Sequence, residues 1–152
     1  MAAETMVGTP PEHVRQFSVF VPNRMGRMYQ VVTLLAEREV HVVALSVLDT
    51  TDSTILRFLV DDPDRARALL SEHNLPFTEN PVVCVEFDYE RQLQEILAAL
   101  CEAELNLHYV YPFLIRPGNK PALVISLEHS EVAEESLRRH QFRIIYQADI
   151  TR

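Results

Sequence analysis

Phe17-Ser18-Val19-Phe20-Val21-Pro22-Asn23-Arg24-Met25-Gly26-Arg27-Met28 runs from a nearly unbroken apolar segment into the start of a helix, through one of only three glycines in 152 residues. Residues 17 to 21 read as a strand. Met28, Val31, Val32 and Leu35 then fall at i, i+3, i+4 and i+7, which is the buried stripe of an amphipathic helix. A helix that opens straight after a strand leaves backbone N–H groups unpaired, and its dipole favours negative charge there. Such a turn can hold a carboxylate or a phosphate. A lone glycine also has a plain structural explanation, a positive φ in a tight turn. What gives the turn weight is that its surroundings recur.

The helical stripe returns 65 residues later as Leu93, Ile96, Leu97 and Leu100, and Leu34-Leu35-Ala36-Glu37 returns as Ala99-Leu100-Cys101-Glu102. Beyond the first helix come apolar runs at residues 40 to 48 and 55 to 60, joined by the polar turn Asp49-Thr50-Thr51-Asp52-Ser53, which together read as a hairpin. Asp62 caps a second helix with Pro63 at its first position and Ala66, Leu69 and Leu70 as its stripe, and residues 75 to 78 form a short strand. The second half repeats the order: a strand at 106 to 115, a turn at 116 to 121, a strand at 123 to 127, a helix capped by Ser130, and a strand at 142 to 146. Ala133, Leu137 and His140 match Ala66, Leu70 and His73 at a displacement of 67.

The expected fold class is α+β, with two ferredoxin-like βαββαβ units. Each is a four-stranded antiparallel sheet with its first and third strands central and both helices on one face. The expected divisions are a flexible lead at residues 1 to 15, a first unit at 16 to 80 and a second at 81 to 150. Runs such as Val42-Val43-Ala44-Leu45 and Ala122-Leu123-Val124-Ile125 are apolar on both sides. The bare face or edge of each sheet should therefore be buried by the other unit and by a second chain, most simply as a homodimer. Pro112 has no N–H, which places the second unit's second strand at an edge. The expectation is one extended eight-stranded sheet in which the two second strands meet.

Composition removes several function classes. Fourteen basic against 22 acidic residues give a formal charge of −8, which repels a nucleic-acid backbone. No apolar run is long enough for a membrane span and no signal peptide opens the chain, so no membrane association and a cytoplasmic location are expected. Cys84 and Cys101 lack metal or disulfide-framework spacing and read as reduced core residues. His13, His41, His73, His108, His129 and His140 show no metal-site spacing, so no metal is expected. His73 and His140 fall at the ends of equivalent helices, where a cation suits the dipole. Tyr109 and Tyr111 read as packing, and Glu134-Glu135 as a solvated face. No nucleophile elbow, phosphate loop or dinucleotide fingerprint occurs, and no cofactor is expected.

Asn23-Arg24-Met25-Gly26-Arg27-Met28 resembles the Asp/Asn-x-Pro-Gly-x-Leu turn of ACT domains, and Ala36-Glu37-Arg38-Glu39-Val40-His41-Val42 resembles the Ala-Glu-x-Gly-Ile-Asn-Ile that follows it. Asp61-Asp62-Pro63 sits where such domains open their second helix. The resemblance covers roughly residues 16 to 150 as a tandem pair. Met25 replaces the usual proline, Glu39 and Glu104 stand where glycine is frequent, and the second turn, Asp88-Tyr89-Glu90-Arg91-Gln92-Leu93, puts Arg91 in the glycine position.

The resemblance implies a non-catalytic regulatory protein that binds an amino acid or related small ligand at a domain or subunit interface, with a regulated enzyme as a possible partner. The implied site is Asn23, Arg24, Met25, Gly26, Arg27 and Met28, facing the start of a neighbouring second strand, where His41 and Asn106 hold the family's asparagine position. Two alternatives remain. One is a dimerisation module with a vestigial site. The other is a metal-dependent enzyme of paired βαβββ units, which would need His41, His108 and Glu128 as ligands and would lack the helices at residues 62 to 74 and 130 to 141.

Overall fold

The computed structural model describes residues 10 to 22, 25 to 115 and 117 to 151. The first unit runs β1 (Val14–Pro22), α1 (Met25–Glu37), β2 (Val42–Asp49), β3 (Ser53–Val60), α2 (Pro63–Glu72) and into β4 (Phe77–Glu86). The second continues with α3 (Arg91–Glu102), β5 (Leu107–Pro112), β6 (Ala122–Leu127), α4 (Ser130–Arg139), β7 (Arg143–Ile145) and the short α5 (Gln147–Ile150). Helices α2 and α4 stand between the third and fourth strands of both units, which removes the βαβββ alternative. The fold is the expected pair of antiparallel ferredoxin-like units.

Among the described residues seven strands form the sheet, not eight, because β4 serves both units. Residues 77 to 82 of β4 pair with β1, and residues 83 to 86 pair with β6 and β7. The order is β2-β3-β1-β4-β6-β5, with β7 on the far side of β4. The two second strands, β2 and β5, lie at the ends of this order and run back toward each other. Ala44 bridges Phe113, and the Leu114 N–H donates to the Val43 carbonyl at 2.8 Å. The sheet therefore curls instead of extending flat.

Alternation along β4 explains the curl. Phe77, Val83, Val85 and the following Phe87 face helices, whereas Val82 and Cys84 face inward, so all four long helices lie outside one common interior. Three cores result. Phe17, Val19, Leu56 and Phe58 pack under α1 and α2, and Val83, Val85, Leu123 and Ile125 pack under α3 and α4. Between the units, Val14, Ala44, Leu59, Cys84, Tyr111 and Val124 form the third. The bare face of each sheet is thus partly buried by the other unit, as expected.

Asp62 caps α2, accepting from the Arg65 N–H at 3.1 Å, with Pro63 opening the helix. Ser130 is not a cap: His129 holds that position, and its side chain makes no capping hydrogen bond. Val32 and Leu97 leave their stripes, at 42% and 39% exposed, because one sheet face covers only a narrow arc of each helix. Cys101 is exposed, whereas Cys84 is buried and its thiol pKa is pushed up by that burial. Glu134 is buried: Oε1 lies 2.6 Å from His13 Nε2, at ion-pair distance though off the hydrogen-bond line.

The four long helices end alike. Glu39, Asn74, Glu104 and Gln141 adopt positive φ between 53° and 68°, and in each case the next residue's N–H reaches back across the final turn. Val40 donates to Leu35, Leu75 to Leu70, Leu105 to Leu100 and Phe142 to Leu137 at 2.9 to 3.2 Å.

Candidate functional site

The first residues of α1 are Met25, Gly26, Arg27 and Met28, whose backbone N–H groups no carbonyl within the helix can reach. No acidic residue stands in this turn, so nothing on the helix offsets its positive end. Gly26 is exposed, and a Cβ built on it would meet nothing within 4 Å among the described residues. Among the described residues the positive-φ glycine is Gly118, so Gly26 is helical. Its contribution is the absence of a side chain at the helix start, not a left-handed turn. Arg27 is exposed beside it, with Nη1 donating to Gln30 Oε1 at 3.4 Å. A groove of about 350 Å³ continues along α1, lined by Arg27, Gln30, Leu34, Glu37, His73 and Leu75 among others. Asn23 and Arg24 lie outside the described residues.

The equivalent turn in the second unit is closed on itself. At the start of α3 the Gln92 N–H donates to the Tyr89 carbonyl and the Leu93 N–H to that of Glu90, both at 3.0 Å. The Asp88 N–H donates to Gln92 Oε1 at 2.5 Å, and the Arg91 guanidinium stands 5.9 Å from the Tyr89 ring centre. These donors are thus spent on the second turn's own backbone and side chain.

His41 and Asn106 open β2 and β5 but stand in different settings. His41 is tied to the buried Asp61: its N–H and its Nδ1 each donate to that carboxylate at 2.8 Å, and its carbonyl accepts from the Asp61 N–H at 3.1 Å. Since β2 starts where α1 ends, His41 lies roughly 20 Å along the helix from Gly26 in the same chain. Asn106 is exposed. Because β5 runs antiparallel to β2 beyond the Ala44–Phe113 bridge, Asn106 falls toward the end of the first sheet where β1 passes into α1. Three positions on, Tyr109 meets Gln16 and Arg57 on the side of the sheet away from the helices. One chain thus gathers Met25 to Met28 but does not bring His41 to them.

A family model described as an ACT domain pair matches residues 12 to 152. The chain belongs to the ACT domain pair family. Among solved structures, protein BT0572 from Bacteroides thetaiotaomicron is 25% identical with a TM-score of 0.83, over 92% of this chain and 96% of that one. The ligand-free regulatory subunit of aspartate kinase from Thermus thermophilus is 16% identical with a TM-score of 0.61, over 87% and 93%. The corresponding subunit from Thermus flavus is 17% identical with a TM-score of 0.57, over the same shares. At these identities the two kinase subunits show the fold alone. A comparison with curated proteins finds no match. Membership of the ACT pair family supports a regulatory, ligand-binding role and a non-catalytic one.

The remaining polar groups of this ACT pair have structural occupations. His73 and His140 close α2 and α4 as C-caps, with Nδ1 donating to the Leu69 carbonyl at 3.0 Å and to that of Ser136 at 2.8 Å. His108 Nε2 is 3.9 Å from Glu128 Oε1, and no group of three or more candidate ligands able to hold a metal occurs among the described residues. Gln16, fully buried on β1, donates to the Tyr109 hydroxyl and accepts from that of Tyr111, both at 2.6 Å. Burial pushes the Tyr111 pKa up, with Cys84 and Tyr109 adding to it, so this hydroxyl stays a donor. Gln16 carried no motif, and only the return of β5 across β1 reveals its role.

Proposed function

We propose that this ACT pair senses a free amino acid, whose carboxylate docks on the backbone N–H groups of Met25 to Met28, and reports its presence to a regulated enzyme. The observation that carries this reading is the helix start at Gly26, exposed and without a side chain, where the second unit has Arg91 in the glycine position. Asn23 would orient the ligand through its side-chain amide. The amino group needs acceptors that this chain's own His41 is too far away to provide. They would come from the edge of a second strand in a neighbouring chain, or from the region of Asn106. A dimer whose site spans the interface fits that requirement, and exposed Val32 and Tyr29 on α1 supply apolar surface for it.

A thermal-shift screen of the twenty amino acids tests the reading, since a ligand at 100 times its Kd should stabilise a one-site native state by about 2.7 kcal/mol. Gly26→Val should abolish the shift by filling the approach. With Gly26 helical, the variant should still fold. Asn23→Ala should weaken binding by about 1 to 3 kcal/mol, and Arg91→Ala should leave it unchanged. Binding indifferent to Gly26→Val but lost on Arg91→Ala would move the site to the second unit. No shift with any amino acid would favour the dimerisation module. Light scattering should return twice the 17.5 kDa chain mass at micromolar concentration, and a monomer there would defeat the interface half of the proposal.

A further inference from the structure

The side of the first sheet turned away from α1 and α2 is laid out in rows by its register. Ser46, Arg57, Ser18 and Thr78 stand side by side across β2, β3, β1 and β4. The row nearer the second unit, with Ala44, Leu59 and Gln16, is sealed into the core between the units. The row on the other side, Leu48, Ile55 and Phe20, opens to solvent, with Leu48 43% and Phe20 38% exposed. Arg57 therefore sits at the boundary between a dry interior and an open apolar shelf, and Tyr109 of β5 roofs it, with the guanidinium 4.0 Å from the ring centre.

Arg57 is half-buried, yet no carboxylate pairs with it and no acceptor takes its five N–H donors among the described residues. Arginines on the helix side of the same sheet are engaged: Arg67 grips Glu79 through two hydrogen bonds, and Arg15 stands 3.6 Å from the same carboxylate. Stacking on a tyrosine satisfies the flat face of a guanidinium but not its edge. We propose that Arg57 is the head-group anchor of a second ligand site, which takes a small aliphatic carboxylate on the bare face of the first sheet. The guanidinium edge would hold the carboxylate through paired N–H bonds, and the hydroxyls of Ser18 and Ser46 would reach its outer lone pairs. The aliphatic part would lie along Ile55, Leu48 and Phe20. A single guanidinium in a row otherwise made of hydroxyls suits a monoanion better than a dianionic phosphate, as does a chain of net charge −8.

This site lies on the opposite face of β1 from α1 and stands independently of the amino-acid reading. Calorimetry on the full chain with acetate, butyrate, hexanoate and inorganic phosphate tests it. Affinity should rise from acetate to hexanoate by about fourfold per methylene buried, and phosphate should bind more weakly than hexanoate. Arg57→Leu, which keeps bulk against Tyr109, should weaken every acid by about ten- to a hundredfold. Should that variant fold poorly, Ser46→Glu decides, because it places an internal carboxylate directly across from Arg57 and should eliminate binding in a folded protein. Phe20→Ala should flatten the dependence on chain length and leave acetate unaffected, and Gly26→Val should change none of these affinities. The proposal is overturned if no acid binds, if hexanoate binds Ser46→Glu as it binds the parent, or if phosphate binds more tightly than hexanoate.

Discussion

Glu104 has φ 57° and Glu39 φ 58°, the left-handed region where a side chain crowds its own backbone. Both stand where ACT domains often carry glycine, and the helix ends keep the glycine conformation without the glycine. The closing hydrogen bonds, Leu105 to Leu100 and Val40 to Leu35, hold them there. Glu104→Gly should therefore relieve strain at a point fixed by its neighbours and raise stability by about 0.5 to 1 kcal/mol. In a chain of this size that corresponds to a melting temperature about 1 to 4 °C higher by calorimetry. A lower melting temperature would mean that the glutamate side chain contributes more than its φ costs.

Packing of α2 against β4 is reinforced by Arg67, which donates to both oxygens of Glu79 at 2.6 and 2.8 Å and to Asp64 at 2.9 Å. The hydrogen bonds from Arg67 hold the Glu79 carboxyl below its ordinary pKa. A carboxylate whose pKa is depressed by folding stabilises the native state above its unfolded pKa, and that contribution is lost as pH falls through the folded value. Arg67→Met should cost about 0.5 to 1 kcal/mol at neutral pH, a figure kept low because the arginine is more than one-third exposed. In urea titrations the gap between parent and variant should narrow as the buffer is taken into the acid range. A gap that stayed constant would assign the effect to lost packing of the arginine stem.

At the scale of the molecule, the two units are held by a continuous strand, by the core between them and by Gln147. Its Oε1 accepts from the Arg15 N–H at 3.1 Å, its Nε2 donates to the Val60 carbonyl at 3.2 Å, and its own N–H donates to the Glu12 carbonyl at 3.0 Å. The residue is buried, so Gln147→Ala would strand a donor and an acceptor in the interior and should cost about 1 to 3 kcal/mol in chemical denaturation. The unfolding should remain a single transition, since β4 belongs to both units. A separate early transition of the second unit would show that the junction couples them weakly.

The sequence alone determined the four outer helices, the order of the strands and the duplication, because helical stripes at one displacement are written in apolar spacing that burial enforces. It also marked the turn at Gly26, since a strand that ends at Pro22 and a stripe that begins at Met28 leave one place for a helix to open. It gave eight strands where there are seven, because nothing local distinguishes two short strands from one long strand whose halves face different partners. The same limit hid the rest. His41 is bound to Asp61 across 20 residues, and Arg57 meets Tyr109 across 52. Whether a polar side chain is spent inside the fold or left open to a ligand depends on which strands the curl brings over it. That is a property of register and closure, which no spacing along the chain records.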